Sequence, residues 1–194
     1  EYKFPRIEYK GEWKDGAFHG QGILKEAWGD IYIGDFVNNK AEGIGRQDRY
    51  VNGEYVGSFG GELKNDYLNG KGYREYDGCK EEGAFKDHDL NGEGQIVCED
   101  GYMSEGFFED GYLIKGTKIW EDGDKEIGNF LNGSLNGEGE IIWSSGNYEK
   151  GNYVNGQLEG MGTWKNAKGD KYVGEWKNDW KEGKGTYTWI NGDK

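Results

Sequence analysis

A five-residue phrase, aromatic-x-Gly-x-aromatic, recurs along the chain about every 23 residues. A Gly-x-Gly follows the phrase, and its second glycine lies eleven residues after the central glycine in most copies. The clearest copies are Tyr9 to Trp13, Tyr32 to Phe36, Tyr55 to Phe59 and Tyr172 to Trp176. A fixed period of this length indicates a stacked-repeat architecture.

The pattern predicts about eight repeats, and the central glycine marks each one. The predicted centres are Gly11, Gly34, Gly57, Gly83, Gly106, Gly128, Gly151 and Gly174. The chain has 37 glycines and only one proline, so the glycines hold fixed places in the repeats and are not linker material. Aromatic residues make up 15% of the chain, which is unlike the composition of disordered segments.

Each repeat reads as a β-hairpin. Residues i, i+2 and i+4 of a strand share one face, so Tyr9, Gly11 and Trp13 point the same way and the charged residues between them point the other way. Gly20 and Gly22 open a second strand, and residues 14–19 form the predicted turn. Turn pairs between repeats favour tight reversals with positive φ, as in Trp28-Gly29-Asp30, Asn52-Gly53-Glu54, Lys168-Gly169-Asp170 and Asn191-Gly192-Asp193. The predicted fold class is therefore all-β, a single-layer antiparallel sheet of consecutive β-hairpins.

The aromatic-x-Gly-x-aromatic phrase with its Gly-x-Gly, at this period, resembles the MORN repeat (membrane occupation and recognition nexus). The resemblance covers nearly all 194 residues. It implies an elongated, twisted single-layer sheet whose aromatic face forms a shallow groove. The alternative from composition is a secreted wall-binding repeat of Gly-Trp and paired tyrosines, but this chain lacks the Tyr-Tyr pairs.

Residues 1–8 correspond to the end of a preceding repeat. Tyr2, Phe4 and Pro5 resemble the closing strand at Tyr187 to Trp189, which predicts that the chain is a segment of a larger repeat protein. Eight hairpins and this leading half would make seventeen strands. At roughly 4.8 Å between strands, such a sheet would be on the order of 75 Å long.

Two departures from the pattern lie around the third and fifth repeats. Fifteen residues separate Gly57 from Gly72, so the turn over residues 60–68 is predicted to be enlarged and to protrude. The fifth repeat reads Gly116-Thr117-Lys118 and is predicted to lack the second glycine of its Gly-x-Gly, which would change ring stacking or bend the sheet.

The leading tyrosine is absent from the four middle repeats. Its predicted positions hold Glu81, Ser104, Glu126 and Glu149, which predicts a more acidic groove at the centre than at the ends. Tyr148 lies next to Glu149, and a slipped register would restore the aromatic residue there. Two interpretations remain open, drift of unconstrained repeats or a groove shaped for a partner.

The formal net charge is −13 and the sequence pI is about 4.7. Such a surface opposes binding to nucleic-acid phosphates and to anionic membranes through bulk electrostatics, so no nucleic-acid partner is predicted. A local basic patch remains open, because alternating lysine and glutamate could segregate on the charged face.

No catalytic, metal or cofactor site is predicted. The two histidines, His19 and His88, are placed in equivalent turns far apart along the sheet. Cys79 and Cys98 form no Cys-x-x-Cys and lie at different phases of their repeats, which argues against zinc and suits a reducing compartment. No apolar run reaches the roughly 18 residues of a membrane span, so a soluble intracellular protein is expected.

The leading functional hypothesis is a scaffold whose aromatic groove binds a helix or extended segment of a protein partner. The resemblance implies a cytoplasmic, cytoskeleton-associated role, such as a ciliary radial spoke of the axoneme. The alternatives are a membrane or lipid tether and a targeting array fused to an enzyme, and open sheet edges allow end-to-end self-association. The predicted groove residues are Tyr9, Trp13, Tyr32, Phe36, Tyr55, Phe59, Phe85, Phe108, Phe130, Tyr153, Tyr172 and Trp176.

Overall fold

The computed structural model describes residues 7–194, which fall into two compact units that meet in sequence between Cys98 and Glu99. Each unit contains eight antiparallel strands, paired in chain order, and the described residues contain no helix. The all-β class and the consecutive hairpins are therefore confirmed. The predicted leading half-strand at Tyr2 to Pro5 lies outside the described residues.

The first unit contains β1 (Glu8–Lys14), β2 (Ala17–Lys25), β3 (Ile31–Val37), β4 (Lys40–Val51), β5 (Glu54–Lys64), β6 (Tyr67–Tyr76), β7 (Cys79–Lys86) and β8 (Asp89–Cys98). The second unit contains β9 (Met103–Glu109), β10 (Tyr112–Ile119), β11 (Lys125–Leu131), β12 (Ser134–Ile142), β13 (Tyr148–Val154), β14 (Gln157–Lys165), β15 (Lys171–Lys177) and β16 (Trp180–Thr188).

The turn inside each hairpin has only two residues. Asp15 and Gly16 connect β1 to β2 with φ of 50° and 78°, the left-handed conformation that Asp, Asn and Gly adopt most easily. The predicted turn over residues 14–19 is thus too long, because Ala17, Phe18 and His19 already pair with β1. The predicted positive φ between repeats is confirmed at Gly29, Gly53, Gly169 and Gly192.

A column of glycines crosses each unit, with one glycine in every strand. In the first unit it contains Gly11, Gly22, Gly34, Gly45, Gly61, Gly72, Gly83 and Gly94. In the second it contains Gly106, Gly116, Gly128, Gly139, Gly151, Gly162, Gly174 and Gly185. A Cβ added to Gly34 would lie 2.5 Å from the Cα of Gly45, so the backbones approach too closely for any side chain.

The predicted centre of the third repeat, Gly57, is wrong. Gly61 pairs with Gly45 and with Gly72, eleven residues on, so it is the true centre. Phe59 and Leu63 then flank it as the aromatic residues flank the other centres. The extra residues lengthen β4 and β5, and the turn is only Asn65-Asp66, so residues 60–68 do not form the predicted protruding loop.

Two further register predictions are corrected. Gly116 pairs with Gly106, so it is the second glycine of its Gly-x-Gly, and the first glycine is the one that is missing. The bulge between Leu113 and Lys115 contains one residue fewer than the bulge of the β1–β2 hairpin. Glu149 pairs with Ile141 and Trp164, and its neighbour Tyr148 pairs with other residues. The register is therefore not slipped, and Glu149 holds the position of the leading tyrosine.

The core of each unit lies on one face of its sheet. We call the face that carries the glycine column and the rings the ring face, and the opposite face the outer face. In β15, Tyr172, Gly174 and Trp176 are buried while the residues between them are exposed. In four hairpins a ring residue on the first strand pairs with a leucine on the second, as Phe85 does with Leu90. Further pairs of this kind are Phe108–Leu113, Phe130–Leu135 and Tyr153–Leu158.

Candidate functional site

Most of the predicted groove residues are core residues. The buried ones are Tyr32, Phe36, Phe59, Phe85, Phe108, Phe130, Tyr153, Tyr172 and Trp176, each less than 9% exposed. Their assignment to an exposed partner-binding surface is therefore wrong. The Tyr32, Tyr172 and Trp176 rings lie against glycines of the column. Phe85, Phe108, Phe130 and Tyr153 each pair with a leucine of the next strand, which helps to remove them from solvent.

Three of the predicted groove residues remain accessible. Tyr9 is half-buried, Trp13 is 59% exposed and Tyr55 is 51% exposed. Trp13 contacts Tyr9 edge-to-face with ring centroids 5.2 Å apart. Tyr55 is accessible because its repeat is centred on Gly61, which places it beyond the ring positions, beside Tyr50.

The leading tyrosine has a local structural role. The Tyr32 hydroxyl donates to the carbonyl oxygen of Asp35 at 3.1 Å, and the Tyr9 and Tyr172 hydroxyls bond in the same way three residues on. Burial is the main cause that raises the pKa of Tyr32, and nearby carboxylates add to it. The hydroxyl is therefore a neutral donor that holds the ring over the glycines.

The acidic residue inside the phrase also serves the fold. At each hairpin the register shifts beside the central glycine, which leaves amides of the second strand without a ladder partner. Asp35 accepts the Ile44 amide at 2.8 Å, and Glu12 accepts the Gln21 amide at 3.2 Å. These carboxylates close the bulge, so this part of the acidic composition is structural.

Part of the ring face stays accessible as a row of side chains two residues from the glycines of the column, on the side away from the hairpin turns. We call it the floor row. In the second unit its half-buried members are Glu126, Ile141, Glu149, Trp164 and Tyr187; in the first they are Tyr9, Leu24, Gln47, Arg74 and Ile96. The phrase alone did not point to the second-strand members. These members could have been found in the sequence as the residues two positions after the second glycine of each Gly-x-Gly, because residues i and i+2 of a strand share one face.

The predicted acidity at the centre of the groove is partly neutralised. Glu81 is buried and pairs with Arg74 at 2.6 Å, and it accepts a hydrogen bond from the Tyr76 hydroxyl at 2.8 Å. Burial and the bond to Glu81 raise the pKa of Tyr76. In the second unit, buried Lys118 donates to the Gly133 carbonyl, and burial lowers the pKa of its ammonium.

Glu149 is the least compensated carboxylate of the floor row. It lies between Ile141 and Trp164 on the flanking strands. Burial, with a smaller contribution from Asp179, raises its pKa to about 7, and Lys181 acts in the opposite direction. A group that titrates this close to neutrality is responsive to any cation placed beside it.

Several buried polar atoms of the second unit have no hydrogen-bond partner within the described residues. They are the Tyr153 hydroxyl, the Trp176 indole nitrogen and the Ser104 hydroxyl. Unpaired buried donors are rare in folded proteins because each costs desolvation energy. Tyr153 and Trp176 belong to the ring face, so this face carries hydrogen-bonding capacity that the described chain does not use.

The two histidines are not equivalent, contrary to the prediction. His19 lies within β2, opposite Glu12, whereas His88 is the second residue of the β7–β8 turn with φ of 77°. The His88 Nδ1 accepts the Leu68 amide at 3.3 Å, and burial lowers the pKa of the ring. Histidine here performs the turn function that Asp66 performs one repeat earlier, where its carboxylate accepts the Ala41 amide at 2.7 Å.

Cys79 and Cys98 are joined by a disulfide bond, which the sequence did not predict. These two cysteines therefore no longer argue for a reducing compartment. They stand opposite each other at the start of β7 and the end of β8. Their sequence phases differ because the bulge adds residues to one strand. The pairing could have been inferred from the sequence, because the two cysteines lie at the two outer ends of one predicted hairpin.

The outer face of the second unit carries a basic cleft. Lys165 and Lys171 are cross-strand neighbours, and Tyr148 and Thr188 flank them in the same register row. Thr163 and Gly169 complete the lining of an open cleft of about 410 Å³. Two lysines of neighbouring strands therefore lie side by side on the outer face.

Among residues 7–194, no group of three or more histidine, cysteine, aspartate or glutamate side chains could hold a metal ion. None of the described residues forms a helix of the length and apolarity required to span a membrane.

Comparison with known proteins identifies the repeat. The MORN repeat family model matches residues 9–31, 32–53, 127–148, 150–171 and 172–194, more than half of the chain. The unmatched stretch contains the shifted third repeat and the shortened fifth. Alsin from Homo sapiens and from Pan troglodytes is 29% identical over 159 residues, and the rat protein is 28% identical. The match covers 73% of this chain, which spans about 9% of the length of these relatives.

Proposed function

The chain belongs to the MORN repeat family, and on that premise we propose that it is a non-catalytic scaffold that binds a segment of a protein partner along the ring face. MORN repeats suggest a protein-binding or membrane-binding scaffold. The proposal for this chain assigns the contact to the floor row and not to the buried rings. Its partner is a helix or an extended segment.

One observation carries the proposal. In the second unit the floor row places Ile141, Trp164 and Tyr187 side by side with Glu149, all half-buried on one face. Partly exposed aromatic and aliphatic groups beside a carboxylate are the composition of a protein-binding surface with anchors and an orienting charge.

The test is affinity capture from native lysate with the chain and with an Ile141→Ala, Tyr187→Ala double variant. We expect a specific protein to be retained by the wild type and lost by the double variant, because truncation of buried anchors costs most of the affinity. Circular dichroism and thermal melting establish that the variant stays folded.

The matched control is Met161→Ala with Lys165→Ala, which changes exposed residues of β14. This variant should retain the partner. Loss of the partner with the control, and retention by the double variant, would place the contact on the outer face and contradict the proposal.

A second candidate function is contact with an anionic membrane surface. The observation that favours it is the outer-face cleft with Lys165 and Lys171, although the net charge of −13 opposes it at long range. Sedimentation with phosphatidylserine vesicles, compared with Lys165→Glu, Lys171→Glu, tests this function. Charge-dependent retention at physiological salt would support it.

For the cell, we propose a cytoplasmic, cytoskeletal or ciliary assembly, in line with the family resemblance. Fluorescence microscopy of the tagged protein against tubulin tests this placement. Signal along axonemes or cortical filaments is expected, and a uniform distribution would contradict it.

A further inference from the structure

An aromatic cage occupies the ring face at the end of the second unit. Its walls are Trp164, Tyr172, Trp176 and Tyr187, and the ammonium of Lys181 lies among them. The Nζ atom is 4.2 Å from the Trp164 ring centroid and 4.9 Å from that of Tyr172. It is 5.2 Å from the Tyr187 centroid and 5.9 Å from that of Trp176. Four ring faces around one ammonium form the arrangement in which aromatic cages bind cations.

We propose that this cage recognises the ammonium group of a lysine side chain of a protein partner, which enters the cage in place of Lys181. The inference rests on the proposed function, because the cage lies on the ring face and includes two floor-row residues, Trp164 and Tyr187. It goes further by naming the chemistry of the partner. The other two walls, Tyr172 and Trp176, are buried while Lys181 lies over them, and a partner ammonium would reach them only when Lys181 moves away.

Lys181 departs from the repeat pattern. It pairs with Trp176 as Leu158 pairs with Tyr153 and Leu135 with Phe130. Those leucines are buried and cover the rings, whereas Lys181 is exposed. Where those repeats cover the ring face with a leucine, this repeat covers it with a lysine, whose ammonium lies over the rings.

The internal ammonium is held weakly enough to be exchanged. Within the described residues no carboxylate forms an ion pair with Lys181, so its head is held by the rings. A cation–π contact of an exposed lysine is weak, and the flexible side chain of Lys181 can swing into solvent. The occupied cage also demonstrates that an ammonium fits between these four rings.

Charge beside the cage favours a cation. Glu149 lies next to Trp164, and Asp179 follows in the β15–β16 turn. Asp179 raises the pKa of Glu149 and Lys181 lowers it. Glu149 and Glu126 both contribute to the raised pKa of Tyr153. An incoming ammonium would stabilise the ionised form of Glu149, which burial now opposes. The chain's net charge of −13 attracts a basic partner to this face.

The probe is the pentapeptide acetyl-Gly-Gly-Lys-Gly-Gly-amide, titrated into the whole chain and followed by tryptophan fluorescence and by NMR. Companion peptides carry Nε-trimethyllysine or the neutral norleucine in place of lysine. We expect both cationic peptides to bind about tenfold more tightly than the norleucine peptide, because cation–π attraction requires the charge. Equal binding of norleucine would overturn the inference.

Variants of Lys181 separate the cage from the surrounding surface. Lys181→Ala should strengthen binding of the lysine peptide by about threefold or more, because the competing ammonium is gone. Lys181→Leu restores the leucine of the other repeats and should block the cage with the fold intact. Lys184→Ala, on the same strand one residue before Gly185, should change nothing. Binding that is insensitive to both Lys181 variants would refute the exchange.

Two outcomes distinguish this inference from the proposed function. Partner capture that depends on Ile141 and Tyr187, together with no preference for the cationic peptides, would leave the scaffold function standing and remove the cage. Phosphatidylcholine vesicles offer the ammonium of a lipid headgroup. If the chain is retained on those vesicles, loses that retention on Trp164→Ala and does not bind the lysine peptide, the cage binds lipid, and a protein partner is contradicted.

Discussion

At the residue scale, the repeat phrase divides its residues between fold and contact. The glycines admit two backbones at close range, the leading tyrosine donates to a backbone carbonyl, and the acid accepts the amides of the bulge. Because the phrase is largely occupied with folding, the proposed function assigns binding specificity to positions outside it. Trp164, Tyr187 and Lys181 are such positions, on the second strands of their hairpins.

Replacement of Gly174 by alanine should be severely destabilising. The added Cβ would lie 2.5 Å from the Cα of Gly185, a backbone atom that cannot move aside. We expect a loss of about 3 kcal/mol in the free energy of unfolding of the second unit, measured by urea denaturation. Gly160→Asn is the control, since nothing lies within 4 Å of its Cβ and asparagine tolerates a φ of 75°. An equal effect of the two changes would contradict close packing at the glycine column.

Glu149→Gln should stabilise the second unit at alkaline pH. The pKa of Glu149 is raised to about 7 in the folded chain from an ordinary value of 4.5, so the folded state binds more protons between these values. Stability therefore falls as pH rises from about 4.5 to about 7, and the cost is fully present above that. After allowance for solvent screening of this half-buried group, we expect the variant to gain about 1 kcal/mol at pH 8 and nothing at pH 4. Thermal melts at both pH values measure this, and a gain at pH 4 would show another cause.

At the element scale, hairpins are connected by turn residues as well as by strand ladders. The Asp66 carboxylate accepts the amide of Ala41, and the Asp179 carboxylate accepts that of Leu158 at 2.6 Å, each joining one hairpin turn to the preceding hairpin. On the other side, Asp30 accepts the Tyr50 amide at 2.7 Å. Side chains of turns thus stabilise neighbouring repeats, because a thin sheet has few other contacts to do so.

The disulfide closes one hairpin and should stabilise the first unit. Cys79 and Cys98 are 19 residues apart, and cross-linking a loop of this size removes unfolded-state entropy worth about 3 kcal/mol. Cys79→Ser with Cys98→Ser should lower the stability of the first unit by about that amount under oxidising conditions. Urea denaturation with and without dithiothreitol measures it. If dithiothreitol lowers the stability of the wild type no more than it lowers that of the double variant, the disulfide does not stabilise the unit.

At the scale of the whole molecule, stability should be approximately a sum over neighbouring repeats. Every strand pair described within the two units joins strands adjacent in sequence. Such an arrangement lacks a central core that all elements share. A local defect should therefore have local consequences.

Hydrogen exchange of the Gly34→Ala variant tests this locality. The added Cβ would meet Gly45, so amide protection should be lost in β3, β4 and the adjoining strands. Amides of β9 to β16 should keep the protection of the wild type. Mass spectrometry of peptic fragments resolves the two regions, and a uniform loss of protection would contradict nearest-neighbour stability.

The all-β class, the hairpin repeats and the family could be predicted from the sequence because they depend on local signals. Alternation with a period of two places Tyr172, Gly174 and Trp176 on one face whatever surrounds them. Asn, Asp and Gly at the turns admit positive φ by their own chemistry. These features are properties of short segments and need no knowledge of the partner strand.

Only the tertiary structure decided the register of the third repeat, the burial of the rings, the pairing of Cys79 with Cys98 and the cage around Lys181. Gly57 fits the five-residue phrase and Gly61 fits the eleven-residue spacing to Gly72, and only cross-strand pairing selects Gly61. Bulges add residues to one strand of a hairpin, so sequence phase no longer gives the facing residue. Burial follows from what the neighbouring strand places over a ring, and that is set by register and not by the phrase itself.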